Sequence, residues 1–241
     1  MSENKMHPTA VVASDAEVGT EVSLGPCAVI ESGAKIGDRS VIGAHAYIGR
    51  GVIVGEDCQI GVGVVLRDGV VLERGVHLGD GVVLGMDGFG YVFDGQRHVK
   101  IPQVGQVHIG AESTIEAYTC IDRATTGTTV VGHNTHIGPM VMIGHNSRIG
   151  SHCQIGFQAG FAGSSVVGDN CHMAPQSAMA MHSVLGNNCQ VEFRGAVLRK
   201  VPDDSHIAGY PARPVEEVKR LEASLLRLPK LLKALEDQQT S

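Results

Sequence analysis

An aliphatic residue recurs every six positions along most of this chain, and glycine often follows it. The first run extends over residues 18–84, the second over 109–121 and the third over 131–197, with a four-residue shift of phase between the second and third. Together the runs contain 27 units. A period of six fits neither a helix nor a simple strand, so each unit is predicted to be one short strand and a turn.

Three such units close a coil of 18 residues. The pattern therefore predicts an all-β fold, a left-handed parallel β-helix of nine coils, with neighbouring coils about 4.8 Å apart. The glycine after each aliphatic residue suits a corner that needs an unusual φ or a close approach of two backbones. Cys153, Cys171 and Cys189 follow one another at intervals of 18, and Cys58 has the same place in the repeat. They are interpreted as small buried side chains, not as disulfide or zinc ligands.

Two segments interrupt the repeat. Residues 86–108 are predicted to leave the helix as a loop within a first domain of residues 1–201, and residues 202–241 form a C-terminal turn and helical tail. Leucines at helical spacing in the tail predict an apolar stripe, and Pro229 is expected to kink or divide the helix. Such a helix has to bury its stripe, which favours a homotrimer of the prism.

Composition narrows the classes of function. A net charge of −6 argues against a nucleic-acid-binding protein, which needs a concentrated basic surface. The first residues lack the apolar core of a signal peptide, and no run approaches the roughly 20 apolar residues that span a bilayer. The expectation is a cytoplasmic protein with no membrane span.

Several motifs carry a resemblance to one family. They are DGFGY at 87–91, KIPQVG at 100–105, TCIDR at 119–123, GHN at 144–146 and AGYPARP at 208–214. In this order and spacing they resemble the UDP-3-O-(3-hydroxyacyl)glucosamine N-acyltransferases of lipid A biosynthesis. The resemblance implies transfer of an (R)-3-hydroxyacyl group from the phosphopantetheine thioester of acyl carrier protein to the 2-amine of a UDP-amino-sugar, with no bound cofactor and no metal site.

The chain also departs from the family pattern. Family members usually begin with a uridine-binding domain, whereas here the repeat starts almost at once. Before the histidine of GHN, the acid, amide and glutamine usual in the family are replaced by Gly138, Pro139 and Met142, and the usual alanine by Gly144. These differences predict altered nucleotide recognition, so that a different acceptor is an open alternative.

His145 is the candidate general base, because a histidine titrates near neutral pH and is able to accept the proton of an attacking amine. Gly163 lies 18 residues later and so one coil along the same column. Its N–H is therefore placed to stabilise an oxyanion beside the imidazole. The resemblance gives the same two roles. It also implies that His182, two coils and one position beyond His145, helps to bind the acyl donor.

Other candidates have competing structural interpretations. Asn146 either orients a substrate or caps a turn, and Phe89 and Tyr91 either flank a substrate or pack the loop. The basic residues Arg220, Arg227 and Lys230 (with Lys233) form either a docking surface for the acidic carrier protein or a solvated helix face.

Three alternative functions share this scaffold. The first is a coenzyme-A-dependent acetyltransferase acting on a nucleotide sugar. The second is a zinc carbonic anhydrase, for which His136 and His172 are spaced suitably but Ser177 replaces the third ligand. The third is a structural trimer without enzymatic activity.

Overall fold

The chain winds into a parallel β-helix with three walls in this computed structural model, which describes residues 3–239. The three walls are sheets of 12, 10 and 9 strands, most of them two residues long, and all pairs are parallel except the last pair of the first wall.

The first wall contains β1 (Lys5–Met6), β4 (Ser23–Leu24), β7 (Val41–Ile42), β10 (Gln59–Ile60), β13 (His77–Leu78), β18 (Thr114–Ile115), β21 (His136–Ile137), β24 (Gln154–Ile155), β27 (His172–Met173), β30 (Gln190–Val191), β32 (His206–Ala208) and β33 (Arg213–Pro214). The second wall contains β2 (Val11–Val12), β5 (Val29–Ile30), β8 (Tyr47–Ile48), β11 (Val65–Leu66), β14 (Val83–Met86), β19 (Cys120–Asp122), β22 (Met142–Ile143), β25 (Gly160–Phe161), β28 (Ala178–Met179) and β31 (Ala196–Val197). The third wall contains β3 (Glu17–Val18), β6 (Lys35–Ile36), β9 (Ile53–Val54), β12 (Val71–Leu72), β17 (Gln106–Ile109), β20 (Thr128–Val131), β23 (Arg148–Ile149), β26 (Val166–Val167) and β29 (Val184–Leu185).

The strand register confirms the 18-residue coil. Gln59 pairs with His77 and Ile60 with Leu78, and the same step recurs along all three walls except across the two segments that interrupt the winding. The predicted fold class, a left-handed parallel β-helix of hexapeptide repeats with a C-terminal helix, is confirmed. The prism is longer than the nine coils predicted, because β1 and β2 extend the walls before residue 18 and β32 extends the first wall after residue 197.

The core is a narrow column of aliphatic side chains. Most two-residue strands turn their second residue inward, so that Leu66, Leu72 and Leu78 are fully buried, while the first residue is more exposed. Cys58, Cys153, Cys171 and Cys189 are buried with free thiols, as their place in the repeat predicts. Burial raises the pKa of the Cys58 thiol to about 11.

Most glycines after the aliphatic residues serve close packing and not an unusual φ, and Gly85, with φ of 84°, is an exception. A Cβ on Gly43 would lie 2.6 Å from the carbonyl carbon of Gly61 in the next coil. Positive φ occurs two positions after these glycines, at His45 (57°) and Gly63 (66°), for example. Of the two reasons predicted for these glycines, an unusual φ and a close approach of two backbones, the structure supports the close approach at Gly43.

Two segments break the regular winding, and the first is shorter than the predicted loop of residues 86–108, because β17 already begins at Gln106. Between β14 and β17 the chain leaves the helix and forms an antiparallel hairpin of β15 (Tyr91–Phe93) and β16 (His98–Lys100). The four-residue phase shift is an enlarged corner at residues 123–127, between β19 and β20.

A single helix, α1 (Val215–Gln239), ends the described chain. It contains Pro229 in its interior, so of the predicted kink or division the helix shows no division, and a kink stays a prediction. The leucine stripe is exposed along its length, with Leu225 at 65% and Leu232 at 51% exposure. No helix within residues 3–239 is long and apolar enough to cross a membrane.

Candidate active site

His145 and Gly163 occupy successive corners along the edge of the second wall at which its strands end. His145 follows β22 after Gly144, and Gly163 follows β25 after Ala162. Because Met142 pairs with Gly160 across these strands, the two corners are stacked in register. The Ser164 N–H donates to the His145 carbonyl at 2.8 Å, which links the two corners.

The imidazole of His145 lies directly over Gly163. A Cβ at Gly163 would approach Cδ2 and Cε1 of the ring to 2.8 Å, and Nε2 is the ring atom nearest to it. Gly163 is buried and His145 is half-buried. The Gly163 N–H donates no hydrogen bond to any group within residues 3–239, and it is available to an oxygen placed beside Nε2.

Two acceptors hold the other nitrogen of the ring. His145 Nδ1 lies 3.1 Å from Oδ1 of Asn146 and 3.4 Å from Oγ1 of Thr125. The Thr125 hydroxyl donates its own proton to Oε1 of Gln103 at 2.9 Å. Both neighbours of Nδ1 are therefore acceptors, so the proton of the neutral ring is placed on Nδ1 and the lone pair on Nε2.

The extruded loop fixes this arrangement. Nε2 of Gln103 donates to the carbonyls of Ile101 and Pro102, at 3.1 and 3.3 Å, which turns Oε1 toward Thr125. A Cβ on Gly88 would lie 2.9 Å from Cβ of His145, so the backbone of the DGFGY motif lies against the histidine. The loop thus holds His145 in place.

Asp122 is a buried carboxylate in the same site. Only 5% of the residue is exposed, and burial raises its pKa to about 6. The charge of His145 opposes this rise, Asp87 adds to it, and Lys100 opposes it. The structure gives the Asp122 carboxylate no hydrogen-bond donor within residues 3–239, which leaves its oxygens free for a ligand.

A cavity of about 230 Å³ connects these groups. Its lining is mainly apolar apart from His145 and Asp122. The lining residues are Phe89, Asp122, Met142, Gly144, His145, Phe161, Ala162, Gly163 and Met181. The site therefore offers a base, a free backbone N–H and a carboxylate beside an apolar surface.

The remaining predicted substrate-binding residues lie around this cavity in different ways. Phe89 lines it and is 91% exposed, and Tyr91 packs edge-on against Phe89 with ring centres 5.4 Å apart. Asn146 lies behind His145, where Nδ2 donates to the Thr126 carbonyl and Oδ1 accepts from the Thr125 N–H. Its turn-capping interpretation therefore applies together with contact to the base.

His182 is not among the residues that line the cavity. It is exposed, with φ of 58°, in the corner column that contains Asn146 and Ser164, at intervals of 18 residues. Its backbone N–H donates to the Gly163 carbonyl at 3.3 Å. A donor-binding role for its side chain stays a prediction.

The basic residues of the tail lie far along the chain from this site. Arg220, Arg227 and Lys230 are exposed on α1. Arg220 and Arg227 are seven residues apart and so lie on one side of the helix.

Of the altered positions before the GHN motif, Met142 lines the cavity of His145, while Gly138 packs against the Phe157 backbone.

Sequence reasoning missed Asp122, Thr125 and Gln103 as members of the site. Asp122 and Gln103 are within the TCIDR and KIPQVG motifs, and Thr125 is in the segment where the period shifts. The two motifs and the phase shift marked these segments as unusual, but they did not show that the three side chains lie near His145.

Within residues 3–239, no group of three or more His, Cys, Asp or Glu side chains is arranged to hold a metal ion.

Comparison with known protein families supports the repeat. Residues 128–163 match the model described as bacterial transferase hexapeptide (six repeats), and residues 1–86 match the GMPPB C-terminal domain. Among solved structures, an Arabidopsis UDP-N-acetylglucosamine acyltransferase matches with a TM-score of 0.79 and 25% identity, over 89% of this chain and 76% of that one. A UDP-N-acetylglucosamine acyltransferase from Bacteroides fragilis matches with a TM-score of 0.68 and 19% identity, over 86% and 72%. The fold and its repeat define a hexapeptide-repeat protein.

Curated relatives narrow this class. UDP-3-O-acylglucosamine N-acyltransferase 1 of Gloeobacter violaceus is 47% identical over 156 residues, 65% of this chain and 45% of the relative. UDP-3-O-acylglucosamine N-acyltransferase of Thermosynechococcus vestitus is 51% identical over 151 residues, 62% and 45% respectively. The match spans less than half the length of these relatives. Over the matched segment, the predicted resemblance to the UDP-3-O-acylglucosamine N-acyltransferases is confirmed.

Proposed function

We propose that this chain transfers an (R)-3-hydroxyacyl group from the phosphopantetheine thioester of acyl carrier protein to the amine of a UDP-3-O-acylglucosamine-type amino sugar. The names of the curated relatives support the reaction and the class of acceptor. The single observation that carries the proposal is the stacking of the His145 imidazole on the Gly163 backbone, with Nδ1 held by acceptors.

Each group of the site has a role in the proposed reaction. The amine attacks the thioester carbonyl carbon while Nε2 of His145 takes one of its protons. The carbonyl oxygen becomes an oxyanion and accepts a hydrogen bond from the Gly163 N–H. The C–S bond then breaks, and the imidazolium returns the proton to the departing thiolate. The products are an amide and a free thiol, and the base is regenerated.

Asp122 contributes to acceptor binding in this proposal. The ammonium form of an amino sugar is attracted by a carboxylate in the same buried cavity, and it loses its extra proton to solvent before the neutral amine attacks the thioester. The apolar lining residues Met142, Phe161 and Met181 offer a surface to the acyl chain beside the reacting carbonyl.

The decisive experiment measures acyl transfer by the His145→Ala variant with 3-hydroxyacyl carrier protein and a UDP-amino-sugar acceptor. Loss of the base is expected to lower kcat by at least about 100-fold. His172→Ala, which removes an exposed histidine from β27, is the matched control and is expected to leave turnover unchanged. Acetyl-CoA as an alternative donor distinguishes the coenzyme-A-dependent reaction. Unchanged turnover in His145→Ala would remove the proposed base.

A further inference from the structure

A second, strongly basic cavity lies on the prism, separate from the cavity that contains His145. Its volume is about 430 Å³, and its lining contains four basic and two acidic side chains in a chain whose net charge is −6. The lining residues are Tyr47, Arg50, Arg67, Asp68, Gly85, Met86, Asp87, Lys100 and Arg123. An excess of two positive charges at one place on an acidic protein favours an anionic ligand.

Three arginines supply this charge without ion-pair partners. Within residues 3–239, Arg50, Arg67 and Arg123 form no ion pair with a carboxylate, whereas Lys100 is paired with Asp87 at 2.8 Å. Asp68 is also engaged, because its Oδ1 accepts the Arg50 backbone N–H at 3.0 Å. The guanidinium groups are therefore available to a ligand that carries its own negative charge.

Arg123 is held in position by neutral acceptors. Its Nε donates to the Gly85 carbonyl at 2.8 Å and its Nη2 to the Asp68 carbonyl at 3.0 Å. These bonds fix the plane of the guanidinium and leave its charge uncompensated. Gly85 has φ of 84°, and a Cβ there would lie 3.0 Å from Val70 and 3.1 Å from Arg67, so only glycine leaves this corner open.

The basic cavity lies on the same edge of the prism as the base. Arg67 follows β11, Gly85 lies within β14, Arg123 follows β19 and His145 follows β22, in successive coils of the second wall. One coil, about 4.8 Å along the axis, therefore separates the Arg123 corner from the His145 corner. Asp122 and Arg123 are adjacent in sequence, yet Asp122 lines one cavity and Arg123 the other.

From this arrangement we infer that the cavity formed by Arg50, Arg67 and Arg123 binds phosphate esters. Planar guanidinium groups form paired hydrogen bonds with phosphate oxygens, which a single ammonium does not. The position beside His145 fits the diphosphate of a nucleotide-sugar acceptor whose amine reaches Nε2. This assignment to the acceptor rests on the proposed function, whereas phosphate binding itself does not. The phosphate of a phosphopantetheine donor has the same chemistry and is the other possible source.

The test uses the full chain and substitutions that remove charge from exposed side chains. Arg50→Gln and Arg67→Gln are made singly and together, with Arg148→Gln on the exposed side of β23 as the matched control. Affinities for inorganic pyrophosphate, UDP-N-acetylglucosamine and pantetheine 4′-phosphate are measured by calorimetry at fixed salt. Circular dichroism checks that each variant folds.

The double variant is expected to bind pyrophosphate and UDP-N-acetylglucosamine at least about tenfold more weakly, while Arg148→Gln binds as the wild type does. Weaker binding of pyrophosphate and pantetheine 4′-phosphate, with UDP-N-acetylglucosamine unaffected, would support the phosphate site and overturn its assignment to the acceptor. Unchanged affinity for all three probes, or an equal loss in Arg148→Gln, would overturn the inference.

The same titrations with His145→Ala separate this inference from the proposed function. That variant keeps the basic cavity, so its affinity for pyrophosphate is expected to match the wild-type value. A chain that fails to transfer any acyl group but still binds pyrophosphate through Arg50 and Arg67 would contradict only the proposed reaction.

Discussion

Gly163 lies against the face of the His145 imidazole, so a single methyl group at this position has a defined effect. In Gly163→Ala the new Cβ would lie 2.8 Å from Cδ2 and Cε1 of the ring, and the ring has to move. Displacement of the base by even about 1 Å is expected to lower kcat by roughly 100-fold. Steady-state acyl transfer measures this change.

Gly160→Ala is the matched control for this prediction. Gly160 is in β25, three residues before Gly163, and a Cβ there meets nothing within 4 Å. The control is expected to fold and turn over as the wild type does. Equal activity of Gly163→Ala and Gly160→Ala would show that the stacked geometry is not needed for transfer.

Asp122 gives the stability of the protein a specific pH dependence. Its pKa is raised from 3.8 to about 6 by burial, so the folded chain holds a proton that the unfolded chain has already lost between these values. Stability contributed by the neutral form is present below about pH 4 and is lost as pH rises through 6. Relative to Asp122→Asn, the wild type is expected to lose up to roughly 3 kcal/mol between pH 3.5 and 7.

Urea unfolding of both proteins across this range tests the sign and the size of the effect. A difference between wild type and Asp122→Asn that stays constant with pH would contradict the raised pKa. The opposite slope, with the wild type gaining stability toward neutral pH, would show that a partner stabilises the ionised carboxylate.

The sequence allowed His145 and Gly163 to be predicted together, because a step of 18 residues places two side chains in one column. It did not reveal the groups around Nδ1. Thr125 and Gln103 reach the histidine from the two segments that break the period, and periodicity gives no information on the path of such segments. The sequence also gave no sign that Asp122 belongs to the site of His145. Asp122 and Arg123 are neighbours in one motif, yet they line different cavities, and the motif alone does not show which residue faces His145.

At the scale of elements, helix α1 presents basic side chains that suit an acidic carrier protein. Arg227→Gln with Lys230→Gln is expected to raise KM for the acyl carrier protein several-fold at low salt, because surface charges steer association. The kcat is expected to stay unchanged, since both residues lie outside the cavity of His145. Initial rates at two salt concentrations measure both quantities.

Arg148→Gln, which removes an equal charge from β23, is the control for general electrostatics. An unchanged KM in the α1 double variant would assign its basic side chains to the solvated helix face.

Helix α1 also shows the limit of the rule that proline interrupts a helix. Pro229 is expected to kink or divide the helix, and the helix continues through it undivided, because the loss of one backbone hydrogen bond does not outweigh the turns on either side.

At the scale of the whole molecule, the leucine stripe of α1 remains exposed in a single chain, with Leu228 at 46% and Leu235 at 56% exposure. Contiguous apolar surface of this kind favours association, and a homotrimer is the predicted form. The wild type is expected to sediment with about three times its mass of 25.3 kDa. Leu225→Glu with Leu232→Glu is expected to shift it toward the monomer.

Glu222→Gln, on the same helix but outside the stripe, is expected to leave the sedimenting mass unchanged. A wild-type mass of 25.3 kDa at micromolar concentration would contradict the trimer.

The fold of one chain was predictable because a repeat determines each coil from its neighbours alone. Association was not visible in the repeat, since it depends on how separate surfaces meet.

The regular stacking of corners along the second wall has a consequence for how such a site is able to change. His145, Gly163 and the arginines belong to one translational lattice, so the gap between any two of them changes only by whole coils, about 4.8 Å at a time. Adding or deleting 18 residues therefore changes the distance between two corners by one coil and keeps the hydrogen-bonding pattern of the other corners. In such a fold, the length of the substrate-binding groove is adjusted by the number of coils, because bending the prism would break the hydrogen bonds of its walls.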